Sequence, residues 1–348
     1  MSDRSPSLAV TGRFSPLRYP GGKGKLARFI AAVIQENDLS DGLYVEPYAG
    51  GAAVAWELLL SGVVRKVAIN DLSRPIYCFW KCVLDHTDDL VALIRETPVD
   101  VATRGRQKEI FADADSADEL ALGFATFFLN RTNRSGILNG GMIGGKAQTG
   151  PWKLDARYNK DDLIERIERI ARARRRVSLT RLDATEFLKA HAGTWNRKTL
   201  VYLDPPYFEK GPDLYYNFYK HDDHAGVATA VHGLKNISWL VSYDDAGPIH
   251  DLYDQASWLQ YTIGYSARGR VRGREAMFAS AGLKLPAVAG SMVELDRWVE
   301  GDDAPYRAPA LDMVAPESNP TSLTLQTVGE KEMKRLRLPS RSAQRGQA

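Results

Sequence analysis

Short apolar runs of strand length alternate along this chain with stretches whose apolar residues recur every three or four positions. The runs at 43–45, 67–69, 177–180, 200–203 and 237–243 are bounded by Gly, Pro, Asn or Asp and read as buried strands. Helical spacing appears at 26–34, 54–61, 75–95, 120–129 and 163–171. This alternation predicts an α/β protein with a doubly wound, mostly parallel sheet. Between 85 and 176 the chain leaves the sheet order for helices and loops, which predicts a mainly helical insertion. Late in the chain, 258–265 and 275–280 read as a strand pair around the basic turn 268–274. Before residue 16 and after 282 the periodic pattern gives way to Pro, Ser and small or polar residues. The expected division is a disordered terminus at 1–15, a core of 16–84 plus 177–282, an insertion at 85–176 and a flexible tail at 283–348.

Composition narrows this picture only a little. The 348 residues carry a formal charge of +3, which permits a nucleic-acid partner without requiring one. Cys78 and Cys82 lie four apart in a helical stretch and suit a core-facing stripe better than a disulfide framework or a zinc site. His221 and His224 stand among aspartates in a polar loop, and no metal is expected there. The N-terminus lacks the order of a signal peptide and no apolar run is long enough to span a bilayer, so no membrane association and a cytoplasmic location are expected.

The candidate chemistry gathers at strand ends. After the run at 200–203 come Asp204, Pro205, Pro206 and Tyr207. The prolines hold Asp204 extended and offer no N–H, so the tip presents acceptors beside a flat ring. An amino group on an aromatic base is a poor nucleophile because its lone pair is delocalised. Acceptors from the Asp204 carboxylate and the Pro205 carbonyl, aimed at its two hydrogens, favour the pyramidal nitrogen that attacks an electrophile, while Tyr207 stacks on the ring. Upstream, the strand at 43–45 opens into a Gly-rich turn at Gly50, and Asp71 follows about 20 residues later, the spacing at which an acidic side chain meets ribose hydroxyls. A cationic sulfonium methyl donor fits such a pocket, with Asp71 on its ribose and Asp183, at a third strand end, on its adenine amino group. A helix cap at Asp71 with a structural turn at Gly50 is the plainer alternative. Gly21, Gly22 and Lys23 form a turn suited to an anion, or simply a turn. The loop 130–146 offers Arg131, Asn133, Arg134, Asn139 and Lys146, and the turn 268–274 offers Arg268, Arg270 and Arg272. These side chains are of the types that reach base edges and phosphates, although a plain surface loop has similar composition.

Together the segments Tyr19-Pro20-Gly21-Gly22-Lys23, Glu46-Pro47-Tyr48-Ala49-Gly50-Gly51, Asp71, Asn130-Arg131, Asp183 and Asp204-Pro205-Pro206-Tyr207 resemble, in content and order, the Dam-type DNA adenine-N6 methyltransferases. The resemblance runs from about 16 to 282. It implies a sheet of the class I S-adenosylmethionine-dependent methyltransferase type and S-adenosylmethionine as cofactor. That cofactor would be held by Tyr19, Gly21, Gly22, Lys23, Glu46, Pro47, Tyr48, Gly50, Asp71, Asp183 and Asp204, with Lys23 on its carboxylate. It further implies double-stranded DNA as partner, a target-recognition role for the insertion, and an adenine flipped into the site at Asp204, Pro205, Pro206 and Tyr207. A monomer is expected, alone or alongside a cognate restriction nuclease. Ala52 departs from the family, where a third glycine is frequent. The same chemistry would serve cytosine N4, RNA or a glutamine amide. An idle DNA-binding regulator and a nicotinamide oxidoreductase are rivals on the same fold, and the latter gives the Asp204 tip no task.

Overall fold

The computed structural model describes residues 14–18, 23–208, 219–263, 274–288 and 292–301. The chain divides into two units, Met1–Tyr306 and Arg307–Ala348, and the described residues all belong to the first. One eight-stranded sheet organises that unit, in the order β3-β2-β1-β4-β5-β7-β6-β8. Its strands are β1 (Leu43–Glu46), β2 (Lys66–Asn70), β3 (Val177–Thr180), β4 (Thr199–Leu203), β5 (Ser238–Asp244), β6 (Ser257–Ile263), β7 (Arg274–Ala279) and β8 (Met292–Trp298). From β3 to β5 all neighbours are parallel, whereas β7 is antiparallel to both β5 and β6, and β8 is antiparallel to β6. The sheet is therefore mixed, with a parallel half and an antiparallel half.

Strand alternation sorts the side chains onto two buried faces. Tyr44, Ile69, Leu200, Tyr202 and Met277 enter one core, and Val45, Ala68, Val201, Leu203 and Phe278 enter the other. The first face is covered by α1 (Ala27–Glu36), α2 (Ala53–Leu60), α3 (Arg74–Asp85), α4 (Thr87–Glu96), α6 (Glu119–Thr132) and α7 (Lys160–Ala171). The second is covered by α8 (Ala184–His191), α9 (His221–His232) and α10 (Gly247–Leu252). Such two-sided coverage explains why the parallel strands read as continuous apolar runs. The helical stretch at 75–95 is two helices, because the backbone turns at His86 between α3 and α4.

The excursion between β2 and β3 comprises α3, α4, α5 (Val101–Ala112), α6 and α7. Ile94, Phe127, Phe128 and Ile167 from this excursion share a core with the sheet residues Val67 and Ile69. Cys78 and Cys82 are buried free thiols on α3, where α6 comes close. A Cβ at Gly123 would stand 2.6 Å from the Cys82 sulfur, so only glycine admits this approach.

One expectation fails at the C-terminal side. The chain after Gly282 does not leave the fold at once, since β8 pairs with β6 from Trp258–Trp298 to Ile263–Met292. Its apolar Val293 and Leu295 are about half exposed, so β8 is held through backbone pairing and shows no buried stripe. No helix among the described residues is long and apolar enough to cross a membrane.

Candidate active site

Strand order reverses between β1 and β4, and ligands of open α/β sheets bind outside the carboxyl ends of strands at such a point. Asp204 leaves the C-terminal end of β4 there, with Pro205 buried and Pro206 and Tyr207 half-buried. The Ser242 hydroxyl, on β5, donates to Asp204 Oδ1 at 2.9 Å and is itself 2.8 Å from the Tyr202 hydroxyl. Lys23 Nζ lies 3.3 Å from the same carboxylate and 2.7 Å from Glu275 Oε2. The Lys23 ammonium also stands over the Tyr207 ring, 5.2 Å from its centroid. Tyr207 Oη donates to Glu275 Oε1 at 3.0 Å, and the Phe208 N–H donates to Asp244 Oδ1 at 2.8 Å, closing the tip onto β5 and β7.

Two carboxylates thus flank one ammonium. Burial raises the Asp204 pKa, Lys23 lowers it and Glu275 raises it, with a net upward direction. Burial works against the Lys23 charge, but Asp204 and Glu275 outweigh it and hold the ammonium well above its ordinary range. Lys23 is therefore held at the tip between the buried Glu275 carboxylate and the partly buried Asp204 carboxylate.

Beside the tip, the turn from β1 to α2 is knitted to β2 and β3. Gly50 takes a left-handed backbone, φ 47°, and its N–H donates to Asp71 Oδ2 at 2.7 Å. Asp71 Oδ1 accepts from Ser73 N–H at 2.9 Å, and burial pushes its pKa up to about 6 against these two bonds. Ala52 is also left-handed, φ 45°, a backbone conformation that glycine adopts with less strain than alanine. Asn70 is fully buried. Its amide donates to the carbonyls of Pro47 and Leu182 and accepts from the Thr180 hydroxyl and the Leu182 N–H, joining three strand ends.

Glu46 is only 5% exposed, and its Oε1 accepts from Tyr44 Oη and from Ala55 N–H inside α2. Burial pushes this carboxyl up to about 8. Asp183 caps α8, accepting from Thr185 N–H, Thr185 Oγ1 and Glu186 N–H, and these bonds hold its pKa low against burial. Tyr48 Oη is 3.2 Å from Tyr219 Oη. Burial first, and then the charges of Asp183, Asp223 and Asp71, raise the Tyr219 hydroxyl, so these groups share one electrostatic neighbourhood. Tyr19, Gly21 and Gly22 lie outside the described residues.

The side chains expected to meet DNA separate into two classes. Asn133 is fully buried, accepting from Arg104 Nε and Nη2 and donating to the carbonyls of Ile137 and Leu138. Arg131 donates to the carbonyls of Arg157 and Pro16, and burial, then Arg18 and Arg166, lower its pKa to about 10. Asn133 is tied to its own loop and to Arg104 on α5, which corrects its expected DNA-facing role, while Arg131, on α6, is engaged by main-chain carbonyls outside the loop. Arg134, Asn139 and Lys146 are exposed. Arg268, Arg270 and Arg272 lie outside the described residues. Asn130 donates to the Arg18 and Gly136 carbonyls and accepts from the Arg18 N–H. Among the described residues, no group of three His, Cys, Asp or Glu could hold a metal.

Glu275, Ser242, Asn70 and Tyr219 were not singled out from the sequence. Glu275 had a legible signal: alternation along β7 puts it on the same inward face as Met277 and Ala279. A family model for D12 class N6 adenine-specific DNA methyltransferases matches residues 19–263. No curated protein matches the sequence. Among solved structures, the rRNA methyltransferase aviRa from Streptomyces viridochromogenes is 14% identical, with 79% of this chain and 93% of that chain covered and a TM-score of 0.31. Protein LPL1258 from Legionella pneumophila is 9% identical, with 75% and 86% covered and a TM-score of 0.29. At those scores neither structure adds to the argument.

Proposed function

Because the chain belongs to the family of D12 class N6 adenine-specific DNA methyltransferases and so methylates adenine N6 in DNA, we propose that the cleft at the ends of β1 and β4 performs this transfer with S-adenosylmethionine. The observation that carries the reading is the Asp204 carboxylate, held by Ser242 and Lys23 beside Tyr207, one strand away from the Gly50 and Asp71 turn. The parallel half of the sheet with its switch at β1, and the antiparallel β7 beside β5, support a class I methyltransferase fold.

The residues present suit the cofactor. Asp71 and Asp183 bring carboxyl groups to adjacent strand ends, Tyr48 and Tyr219 bring rings to the same neighbourhood, and Gly50 leaves its turn without a side chain. Asp71 would meet the ribose, Asp183 the adenine amino group, and Glu46 with Pro47 would shape the turn. When bound, S-adenosylmethionine supplies a methyl group on a positively charged sulfur, which keeps the electron pair of the broken carbon–sulfur bond. Asp204 accepts one hydrogen of the target amino group and the Pro205 carbonyl the other, freeing the nitrogen lone pair for attack. Fixed acceptors of this kind need no reorganisation during the reaction. The proton that the nitrogen must lose lies on the side of Asp204, which passes it to solvent. Tyr207 stacks on an adenine swung out of the duplex.

Residues 85–176 form the target-reading region, with Arg134, Asn139 and Lys146 facing DNA, and Arg268, Arg270 and Arg272 grip the backbone. The test is transfer of a radiolabelled methyl group to unmethylated duplex DNA, followed by nucleoside analysis. Label in N6-methyladenine is expected. Label in methylcytosine, or in RNA alone, would sink the reading.

A further inference from the structure

Glu275 stands near the start of β7, directly across from Tyr261 on β6 and Asp244 on β5. Its side chain is 3% exposed. Among the described residues, donors from three separate segments reach its two oxygens. Tyr207 Oη donates to Oε1 at 3.0 Å, while Lys23 Nζ, at 2.7 Å, and Tyr261 Oη, at 2.9 Å, both donate to Oε2. A carboxylate this deep is costly unless charge and hydrogen bonds compensate it, and here an ammonium and two phenols do so.

Two consequences follow for the tip. A Tyr207 ring tethered through its hydroxyl keeps one tilt, so the face offered to a base is set before the base arrives. Lys23 sits closer to Glu275 than to Asp204, 2.7 against 3.3 Å, so its charge is shared and Asp204 is spared a tight ion pair. A carboxylate fully engaged by an ammonium is a weaker acceptor for a third group.

We infer that Glu275 is a positioning residue for methyl transfer, fixing the plane of the Tyr207 ring and drawing Lys23 away from Asp204 so that this carboxylate can accept from the target amino group. The inference rests on the reading of Asp204 and Tyr207 given above. Among the described residues, the charged and titratable groups around Asp204 include Lys23 from the turn before α1, Glu275 on β7, Tyr202 on β4, Tyr207 at the tip and Tyr44 with Glu46 on β1. Glu275 is the carboxylate whose charge raises Asp204, so neutralising it moves the ionisation of Asp204 to lower pH.

The experiment measures kcat for methyl transfer to unmethylated genomic duplex DNA between pH 5 and 9. It compares wild type with Glu275→Gln, Tyr207→Phe and the double variant, each checked for folding by thermal melting. Glu275→Gln is expected to lower the plateau about 10- to 100-fold, the scale of an ångström-sized misplacement, and to shift the acidic limb to lower pH. Tyr207→Phe is expected to cost about tenfold, and clearly less in the Glu275→Gln background, where the amide leaves one oxygen for three donors and the tether is already weakened. An unmoved acidic limb together with additive losses makes Glu275 merely structural and overturns the inference. Should Glu275→Gln not fold, Tyr207→Phe with undiminished kcat overturns it alone. A wild type that leaves DNA unmethylated overturns the site reading and this inference together, whereas an active wild type with additive variants overturns the inference only.

Discussion

The Asp204 tip and the loop at 130–146 contain similar ingredients, polar side chains beside helix-breaking residues, and the fold uses them in opposite ways. At the tip, carboxylates and an ammonium from β4, β7 and the turn before α1 converge on one another at a cleft. In the second region, Asn130 and Arg131 at the end of α6 and Asn133 just after it are engaged by backbone carbonyls and by Arg104, whereas Arg134, Asn139 and Lys146 are exposed. A polar residue in a loop therefore says little until its partners are known. Where the partners are charged side chains at a strand end, chemistry is available. Where they are main-chain groups, the side chain shapes the loop.

The sharpest way to break this contrast is to remove one member from each region. Asp204→Ala is expected to lower kcat about 10³-fold while melting close to wild type, because Lys23 keeps Glu275 as its partner. Near-normal turnover in a single-turnover assay would place the chemistry elsewhere. Asn133→Ala is expected to do the reverse. It removes the Asn133 amide's bonds to Arg104, Ile137 and Leu138 in a buried site, leaving Arg104 only the Gly140 carbonyl and the Ile137 carbonyl only the Gly140 N–H, at a cost of about 2–4 kcal/mol in urea unfolding, and the fraction that stays folded should bind DNA as tightly as before. A stable Asn133→Ala with weakened binding would return this amide to the DNA-facing class.

Within the first region, Glu46 offers a pH test. Its folded carboxyl, pushed up to about 8, keeps a proton that the unfolded group releases above about 4.5. The folded state then binds more protons between these values, so stability falls as pH rises through them, by up to about 1.4 kcal/mol per unit. Denaturant titrations from pH 5 to 8 should show that slope in wild type and a flatter one in Glu46→Gln. Equal slopes would mean that Glu46 is ionised in the fold. The smallest effect belongs to an exposed side chain. Arg134→Ala should leave stability within about 0.5 kcal/mol and reduce the salt dependence of DNA binding by about one phosphate contact. An unchanged salt slope removes Arg134 from the interface.

Much of the parallel half of the sheet was legible because strands buried on both faces must be apolar throughout, as at 67–69 and 200–203. The tip was legible because Asp204, Pro205, Pro206 and Tyr207 are adjacent in the chain. β8 was not, since its Val293 and Leu295 look outward and its pairing with β6 rests on backbone groups common to every residue. The Lys23 partnership with Glu275 joins residues far apart in sequence, and only the antiparallel placement of β7 brings them together. Asn133 and Arg131 read as DNA-facing because residue type carries no record of which carbonyls fold back upon it.

The buried amide of Asn70 also bears on how this protein ages. Deamidation would replace two donors, now directed at the carbonyls of Pro47 and Leu182, by an oxygen that repels both, and would loosen the ends of β1, β2 and β3 at once. That reaction starts when the backbone nitrogen of the next residue attacks the side-chain carbonyl. Here the Asp71 nitrogen is turned toward the Thr180 carbonyl at 3.3 Å, and the Asn70 oxygen is already held by Thr180 and Leu182. The knot that joins the three strands thereby shields its own most perishable bond, and chemical shelf life comes with the architecture.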